Sequence, residues 1–293
     1  LAADVVQPAI ASGQLPTFAA LAKHGAMTTS TAIFPSITPA ATASIVTGAY
    51  PKEHGIAGAY WWDDEHNSVA YFGADLWLFL NAGPGKYFRD FIVNLNERHL
   101  KAAPIFQSIE QDGLIGAVIN FMWFRGDQRH DVNAPFLLSL LSGGNIPEHV
   151  FGPTHLALAD FVPLKLPNKE EPLVTAGGLS QRYGFYDDCT AMCLQELFDG
   201  ESAGIPDFTL AYFPNNDFVS HDDGPMAALA TVQKVDQHLA KLFALRGGVD
   251  EFLNDFAVVI CGDHSQSRTL EDDEARDINL DDLLASFWEI VFY

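Results

Sequence analysis

Cysteine, basic side chains and long apolar runs are all scarce in this 293-residue sequence. Its three cysteines, Cys189, Cys193 and Cys261, are too few for a disulfide framework and lack the paired spacing of a structural zinc site. No apolar run approaches the roughly 18 to 20 residues of a membrane span, so none is expected in this segment. The 16 Lys and Arg are outnumbered by 38 Asp and Glu, which gives a formal net charge of -22. That charge argues against nucleic-acid polymers and anionic membrane surfaces as partners, because the long-range field repels them, whereas a small anion needs only local cations.

The pattern along the chain predicts an α/β fold. With 48% hydrophobic residues, the chain can bury a substantial core, and we expect residues 1–293 to form one domain. Helical periodicity marks 15–26, 98–113 and 224–248. Apolar runs rich in β-branched and aromatic residues predict buried strands at 113–122, 206–214 and 255–263. Strands that alternate with helices predict a doubly wound, mostly parallel sheet with helices on both faces.

Residues 125–180 interrupt this alternation with a polar, proline-marked stretch. We interpret it as an insertion over the sheet; a cap or lid would have this composition, and so would a surface loop without function. The chain begins with Leu1 and ends in an apolar run at 286–293 that predicts a strand without a successor. Both ends therefore look truncated. The three cysteines leave open whether the protein works in an oxidising or a reducing compartment.

The run FPSITPAATASIVTGAYPKEHGI, residues 34–56, places one threonine at the start of a predicted helix. Thr38 and Pro39 predict an N-cap and a first helical position, and Gly48 predicts the end of the helix. Capping alone explains Thr38 without any chemistry. The same position also puts its hydroxyl beside the free N–H groups of a helix start, where a phosphoryl group is stabilised. Thr38 is therefore also a candidate nucleophile.

Two acid–histidine pairs follow predicted strands. Asp217 and His221 come after 206–214, and Asp263 and His264 come at the end of 255–263. Ligands of open α/β sheets bind beyond the carboxyl ends of the strands, so parallel strands would bring all four side chains to one edge. Carboxylate and imidazole without thiolate suit zinc, or else manganese or iron. A strand-end turn with a solvated histidine is the alternative for each pair.

A metal would give Thr38 its reactivity. A threonine hydroxyl is nearly inert at neutral pH unless a general base or a metal lowers its pKa, and no Ser-His-Asp arrangement is evident in the sequence. One metal ion would generate the alkoxide. A second ion about 4 Å away would polarise the phosphoryl oxygen and assist the leaving group.

Three motifs, in this order, resemble the type I phosphodiesterase and nucleotide pyrophosphatase family of the alkaline phosphatase superfamily. They are FPSITPAATASIVTGAYPKEHGI, NNDFVSHDDGP and GDHSQS, and HGIAGAYWWDDEHN is similar to the family segment after the nucleophile helix. The resemblance spans most of the chain. It implies an alkaline phosphatase-like fold, two Zn²⁺ ions or other divalent metals, and a small phosphodiester or nucleotide substrate. It leaves the compartment open, with an extracytoplasmic location as one option.

Carried over position by position, the resemblance implies a role for each candidate residue. Thr38 would be the nucleophile and would itself bind the activating metal. Asp263 and His264 would bind the same ion, and Asp217 and His221 would bind the other zinc. Trp62 falls near an aromatic residue that covers the organic group of the substrate in the family, although surface packing explains it equally well.

The sequence departs from the family pattern in three places. The first metal-binding Asp of the family would lie before Leu1, and the last His ligand would lie beyond Tyr293. The family helix often carries an Asn three residues after the nucleophile, where this chain has Ala41. Thr42 is a candidate replacement for that hydrogen-bond donor. With two of the six protein ligands outside the chain, we expect residues 1–293 to bind zinc weakly and to turn over little substrate.

The charges favour a diester as substrate. The formal charges of two Zn²⁺, three carboxylates and one alkoxide sum to about zero, which suits a singly charged diester better than a doubly charged monoester. Hydrolysis of phosphomonoesters, phosphonates or sulfate esters on the same fold is the first alternative. A non-catalytic relative that binds metal is the second.

Overall fold

A computed structural model of the chain describes residues 1–71, 83–134, 136–143, 146–199 and 204–268. The strand predicted at 286–293 lies outside the described residues. The α-helices are, in chain order, α1 (Ala3–Ala11), α2 (Pro16–His24), α3 (Thr38–Thr47), α4 (Pro51–His54), α5 (Pro84–Arg89), α6 (Ile105–Gln111), α7 (Phe136–Leu141), α8 (Asp187–Phe198), α9 (Asn215–Asp223), α10 (Leu229–Ala244) and α11 (Val249–Asp255). A π-helix spans Asp90–His99 and a 3-10 segment spans Leu179–Gly184. The strands are β1 (Tyr60–Asp63), β2 (Ser68–Tyr71), β3 (Gly116–Ile119), β4 (Gln128–Asp131), β5 (His149–Gly152), β6 (His155–Ala157) and β7 (Phe208–Ala211).

A parallel sheet organises the described part of the chain. Its strand order is β6–β3–β7, with Val118 of β3 opposite Leu156 on one side and Leu210 on the other. The strands predicted at 113–122 and 206–214 are confirmed, and so is the α/β class with a parallel sheet. Two antiparallel hairpins, β1–β2 and β4–β5, stand apart from it.

Helices cover both faces of this sheet. Successive side chains of a strand point to opposite faces of the sheet, and all four residues of β3 are buried. Ala117 and Ile119 pack into a cluster with α1, α2, α8, α10 and α11. Val118 packs into a second cluster with α3, α6 and the π-helix. The near-continuous apolar sequence of β3 is therefore explained by two cores, one on each face.

Two of the three predicted helices are confirmed, and the third is interrupted. The predictions at 15–26 and 224–248 correspond to α2 and α10. The prediction at 98–113 is wrong over its first half, because the π-helix ends at His99 and α6 begins after Pro104. Proline lacks the N–H that a helix interior requires, so the chain restarts its helix there.

The strand predicted at 255–263 is wrong. Asp255 is the last residue of α11, and residues 256–263 pair with no strand within the described ranges. Val259 is 86% exposed, and Ala257, Ile260 and Cys261 are exposed as well, so most of the apolar run faces outward. An apolar run becomes a strand only where a neighbouring strand accepts its hydrogen bonds, and that requirement is not local to the sequence.

The stretch 125–180 holds the β4–β5 hairpin and α7, together with β6. Because β6 lies in the main sheet, this stretch does not lie over the sheet along its whole length. The boundaries of an insertion stay a prediction. In the part of the chain that the structure describes, no helix combines the length and apolarity needed to cross a bilayer.

Candidate active site

Thr38 is the first residue of α3, and its hydroxyl does not cap the helix. The N–H of Ala41 bonds to the carbonyl of Ile37, so Ile37 is the N-cap and the helix begins one residue earlier than predicted. The Thr38 hydroxyl is therefore free of the helix start, and its Oγ1 lies 2.8 Å from Nε2 of His264. The cap interpretation is wrong for this hydroxyl, although Pro39 and the left-handed Gly48 mark the helix as predicted.

The small residues of α3 allow the helix to pack closely against the core. Ala40 and Ala43 are fully buried, and the indole N–H of Trp123 donates to Oγ1 of Thr42 at 2.8 Å. The Thr42 hydroxyl donates in turn to the carbonyl of Thr38. Thr42 therefore has no free hydroxyl proton to replace the donor that Ala41 lacks, and Ala41 itself is buried.

His264 and Asp263 lie on the segment that follows α11, and His264 reaches Thr38. The chain bends at Asp263, and the backbone N–H of His264 donates to Oδ1 of Asp263 at 2.9 Å. The His264 side chain is 9% exposed, and its Nε2 lies 3.6 Å from Oδ2 of Asp263. The adjacent acid and imidazole are thus oriented by a turn, which a regular strand could not do.

Asp217 and His221 lie on the short helix α9. Their spacing of four places both on one face of that helix. Oδ1 of Asp217 lies 3.8 Å from Nε2 of His264, and its Oδ2 lies 3.7 Å from Nε2 of His221. The side chain of His221 is 66% exposed, so it stands at the rim. The structure brings together Thr38, Asp217, His221, Asp263 and His264, which we call the active-site cluster; their roles stay predictions.

Two further residues join the active-site cluster without having been predicted. The amide of Gln266 donates to Oδ1 of Asp217 at 3.0 Å. The Tyr212 hydroxyl interacts with the Thr38 side chain, and burial, followed by the charges of Asp263 and Asp217, raises the Tyr212 pKa well above its ordinary value. Tyr212 is the first residue after β7, so its place at a strand end was the one available sequence signal.

The donor set of the active-site cluster fits a divalent metal. Oδ2 of Asp263 is buried and has no hydrogen-bond partner among the described residues. A buried carboxylate oxygen without a partner is costly unless a cation or donor reaches it. Oxygen and imidazole nitrogen donors are the ligands that zinc takes when thiolate is absent.

A second group of ligand-type side chains lies at the turn of the β1–β2 hairpin. Carboxylate oxygens of Asp63 and Glu65 and a ring nitrogen of His66 lie within 4.8 Å of one another. We call these three residues the hairpin cluster. The sequence did not predict a metal there. Asp63 is partly buried, whereas Glu65 and His66 are exposed.

Trp62 lies on β1 with nearly half of its surface exposed. Its neighbour Trp61 points to the other face of the hairpin, where its ring packs edge-on against His99 at 5.3 Å between centroids. Trp62 thus has the exposure that a substrate-covering residue needs, and its role stays a prediction.

The three arginines differ in position. Arg125 donates to the carbonyls of Leu100 and Ala102, so it holds a loop together. Arg129 is exposed on β4. Arg182 stands over the ring of Phe218 with 3.7 Å between its guanidinium carbon and the ring centroid, which places a cation against α9.

A small, partly open cleft with a cavity volume of about 20 Å³ lies beside the active-site cluster. Its polar wall carries Asp217, Asp263, His264 and Gln266, and its apolar wall includes Val5 of α1. The cleft therefore has polar groups along one side and, in this conformation, room for about one water molecule.

Residues 1–290 match the family model described as type I phosphodiesterase / nucleotide pyrophosphatase. The chain belongs to this family. The family resemblance inferred from the three motifs is thereby confirmed over nearly the whole sequence.

A solved structure shows the same fold at low sequence identity, and a second one matches more weakly. Phosphonoacetate hydrolase from Sinorhizobium meliloti 1021, in complex with phosphonoformate, matches with a TM-score of 0.55 at 19% identity, over 97% of this chain and 58% of that chain. Murine ectonucleotide pyrophosphatase / phosphodiesterase 5, an inactive form in complex with AMP, matches with a TM-score of 0.48 at 17% identity, over 80% and 47% of the two chains. The chain thus spans about half the length of these proteins.

Proposed function

We propose that this protein is a metal-dependent hydrolase that cleaves phosphodiester or pyrophosphate bonds through a covalent Thr38 intermediate at a two-zinc site. The observation that carries the proposal is the convergence of one hydroxyl with two acid–histidine pairs from distant segments. The distance of 2.8 Å between Oγ1 of Thr38 and Nε2 of His264 is its closest contact. Membership of the family supplies the reaction class.

Thr38 attacks the substrate in this proposal. Its Oγ forms a bond to phosphorus while the bond from phosphorus to the leaving oxygen breaks. The hydroxyl proton of Thr38 passes to solvent, and the leaving oxygen takes up a proton from solvent. Water then attacks the phosphothreonine, the bond from phosphorus to Oγ breaks, and Thr38 regains its proton. The positive end of α3 faces the phosphoryl group throughout.

The side chains of the active-site cluster divide between two metal positions in this proposal. Asp263, His264 and Thr38 would hold one ion, and Asp217 and His221 would hold the other. When bound, the two ions lower the pKa of the Thr38 hydroxyl and neutralise charge on the phosphoryl oxygens. Gln266 holds Asp217 by one carboxylate oxygen and thereby leaves the other oxygen to face His221.

The contact between Thr38 and His264 has a second chemical reading. Nε2 of His264 could take the Thr38 proton as a general base, but the same nitrogen cannot bind a metal while it does so. Removal of metal by a chelator decides between the two readings. The proposal expects a loss of activity that added zinc restores, whereas a general-base mechanism without metal predicts unchanged activity.

Substrate comparison tests the reaction class. We expect the full-length protein to give its highest kcat/KM on an aryl phosphodiester, with aryl phosphomonoester, phosphonate and sulfate below it, because a nearly neutral site suits a singly charged ester. Preference for a doubly charged monoester or for a phosphonate would instead favour the first alternative, with Arg182, which stands over Phe218 of α9, as a candidate cation.

Substitution of Thr38 tests the nucleophile. Thr38→Ala should lower kcat on the preferred ester by more than about 10³-fold, because no other described hydroxyl has the same contact with His264. Thr38→Ser keeps the hydroxyl and should retain much of the activity. Equal activity of Thr38→Ala and wild type would exclude the covalent intermediate. Zinc binding without hydrolysis of any of these esters would identify the protein as a non-catalytic relative.

A further inference from the structure

The connection from β7 to α9 delivers Asp217 to the active-site cluster, and it is held from behind by α8. Tyr212, Phe213 and Pro214 form this connection, and α9 starts at Asn215, two residues before Asp217. The connection is too short to form regular structure of its own. Its position therefore depends on the groups that bond to its backbone.

Two side chains of α8 bond to the two ends of this connection. The Thr190 hydroxyl donates to the carbonyl of Tyr212 at 2.8 Å. The Asp187 carboxylate accepts the backbone N–H of Asn215 at 3.0 Å. Asp187 and Thr190 are three residues apart and therefore share one face of α8. One helix face thus fixes both ends of the segment that precedes Asp217.

Asn120 connects this helix face to the central sheet. It follows β3 in the left-handed conformation, with a φ of 53°. Its amide donates to Oγ1 of Thr190 at 3.0 Å and to the carbonyl of Gly184 at 3.0 Å, and its side-chain oxygen accepts the N–H of Ala159 at 2.7 Å. The position of Thr190 is thus set by the rigid centre of the sheet.

The burial of this network points to positioning. Asn120, Thr190, Asp187 and Asn215 are all no more than 6% exposed. A carboxyl group in such a place is costly, and packed apolar residues of the same volume would often be as stable. The network therefore adds little stability for its cost, whereas it gives the connection one defined position. Asp217 needs that position to meet His264, at 3.8 Å, from a different segment.

We propose that Asp187 and Thr190 are positioning residues that hold the connection 212–215, so that Asp217 is oriented for metal before metal binds. The inference rests on the proposed function, because it assigns Asp217 to a metal. Groups of this kind, which orient a ligand without touching the metal, typically account for about 10- to 100-fold in metal affinity.

Zinc titration against a competing chelator tests the inference. The full-length protein is compared with Thr190→Val and Asp187→Leu, which remove the two hydrogen bonds at nearly constant volume. We expect each variant to bind zinc about 10- to 100-fold more weakly at the position that contains Asp217. Thr190→Ser keeps the hydroxyl donor, and Asp187→Asn keeps an oxygen acceptor. Both variants should therefore bind zinc with an affinity within about threefold of wild type.

A matched control separates positioning from stability. The Thr231 hydroxyl donates to the carbonyl of Ala228 at 2.7 Å and is also buried, but it lies within α10. Thr231→Val therefore loses a similar hydrogen bond and should keep the zinc affinity of wild type when measured well below its Tm. If Thr190→Val and Thr231→Val lower Tm alike and neither changes zinc affinity, the inference is overturned and the network is structural.

An Asp217→Ala variant distinguishes failure of this inference from failure of the proposed function. If Asp217→Ala leaves zinc binding unchanged, the metal assignment fails, and the positioning role fails with it. If Asp217→Ala weakens binding whereas Thr190→Val and Asp187→Leu do not, only the positioning role is overturned. Weakening in all three variants, with wild-type affinity in Thr231→Val, supports the inference.

Discussion

The hairpin cluster and the active-site cluster gather the same kinds of side chain in different ways. The hairpin cluster arises within one turn of four residues. Oδ1 of Asp63 accepts the N–H of Glu65 at 3.1 Å, and its Oδ2 lies 2.8 Å from the ring of His66. These are ordinary turn contacts, and they leave each polar atom near a partner or near solvent. The active-site cluster instead joins segments far apart in the chain, and it leaves a buried carboxylate oxygen of Asp263 without a hydrogen-bond partner among the described residues.

The two clusters therefore differ in how strongly they indicate a bound metal. A turn brings ligand-type atoms together at little energetic cost, so their proximity in the hairpin is weak evidence for a metal. Folding must hold the active-site cluster together against repulsion between carboxylates and the cost of their desolvation. A cation would offset both terms. Convergence across distant segments is therefore the stronger evidence.

The largest expected effect separates the two clusters by metal affinity. Asp263→Asn should weaken zinc binding by more than about 100-fold, the upper end of what changes beyond the ligands themselves cost, because it removes a charged ligand. His66→Asn removes a ligand-type group from the hairpin cluster and should leave the affinity unchanged. Zinc titration against a chelator measures both variants. The reverse pattern would place the metal in the hairpin.

A second prediction concerns a charge that the fold has buried, in contrast to the exposed groups of the hairpin. Burial raises the pKa of Asp187 to about 6, above the ordinary value of 3.8. The folded chain holds this proton more tightly than the unfolded chain, so the carboxyl group contributes stability that is complete below about pH 4 and is lost as the pH rises through about 6. Asp187→Asn does not titrate. Its free energy of unfolding, relative to wild type, should therefore rise by about 2 to 3 kcal/mol between about pH 4 and pH 7.

Urea unfolding of both proteins across this pH range measures the difference. The titrations of other carboxylates are common to wild type and variant and cancel from the comparison. A constant difference would show that Asp187 titrates at its ordinary value and that burial does not act on it as described.

A third prediction concerns substrate binding by the β1–β2 hairpin, to which we assign no catalytic group. Trp62→Ala should raise KM for an aryl phosphodiester by about 10-fold and leave kcat nearly unchanged, because stacking on an aromatic side chain contributes about 1 to 3 kcal/mol. Phe136→Ala, which removes another exposed aromatic side chain on α7, is the matched control and should leave KM as it is. Equal KM values for both variants would show that Trp62 only packs on the surface.

The smallest expected effect is on the stability of the hairpin cluster itself. His66→Asn should lower the free energy of unfolding by less than about 1 kcal/mol, because a single contact of a solvent-accessible histidine at a surface turn contributes little. Thermal unfolding at neutral pH measures it. A loss of several kcal/mol would mean that the hairpin cluster is a structural centre, and the contrast with the active-site cluster would then no longer hold.

Local patterns in the sequence predicted those parts of the site whose geometry is itself local. Asp217 and His221 were predicted to lie together beyond a strand end, and the structure adds that α9 places both on one face. The order of the motifs and the strand-end rule predicted which segments would meet. The helix start at Thr38 was predicted to within one residue, but whether its hydroxyl turns to the helix or to His264 depends on a contact across the whole chain.

The parts that sequence reasoning missed are set by tertiary contacts. The segment 255–263 has the composition of a strand, but a strand also requires a neighbour that accepts its hydrogen bonds. Gln266 and Tyr212 belong to the site only because they contact Asp217 and Thr38, which come from other segments of the chain. The same holds for Asp187 and Thr190, whose bonds to the connection before Asp217 leave no periodic signal in the sequence.

Anomalous diffraction at the zinc absorption edge, from crystals of the full-length protein grown with zinc, tests the central claim most directly. We predict one peak in contact with Asp263, His264 and Thr38, and a second in contact with Asp217 and His221. A zinc peak at Asp63, Glu65 and His66, with none beside Thr38, would contradict the account.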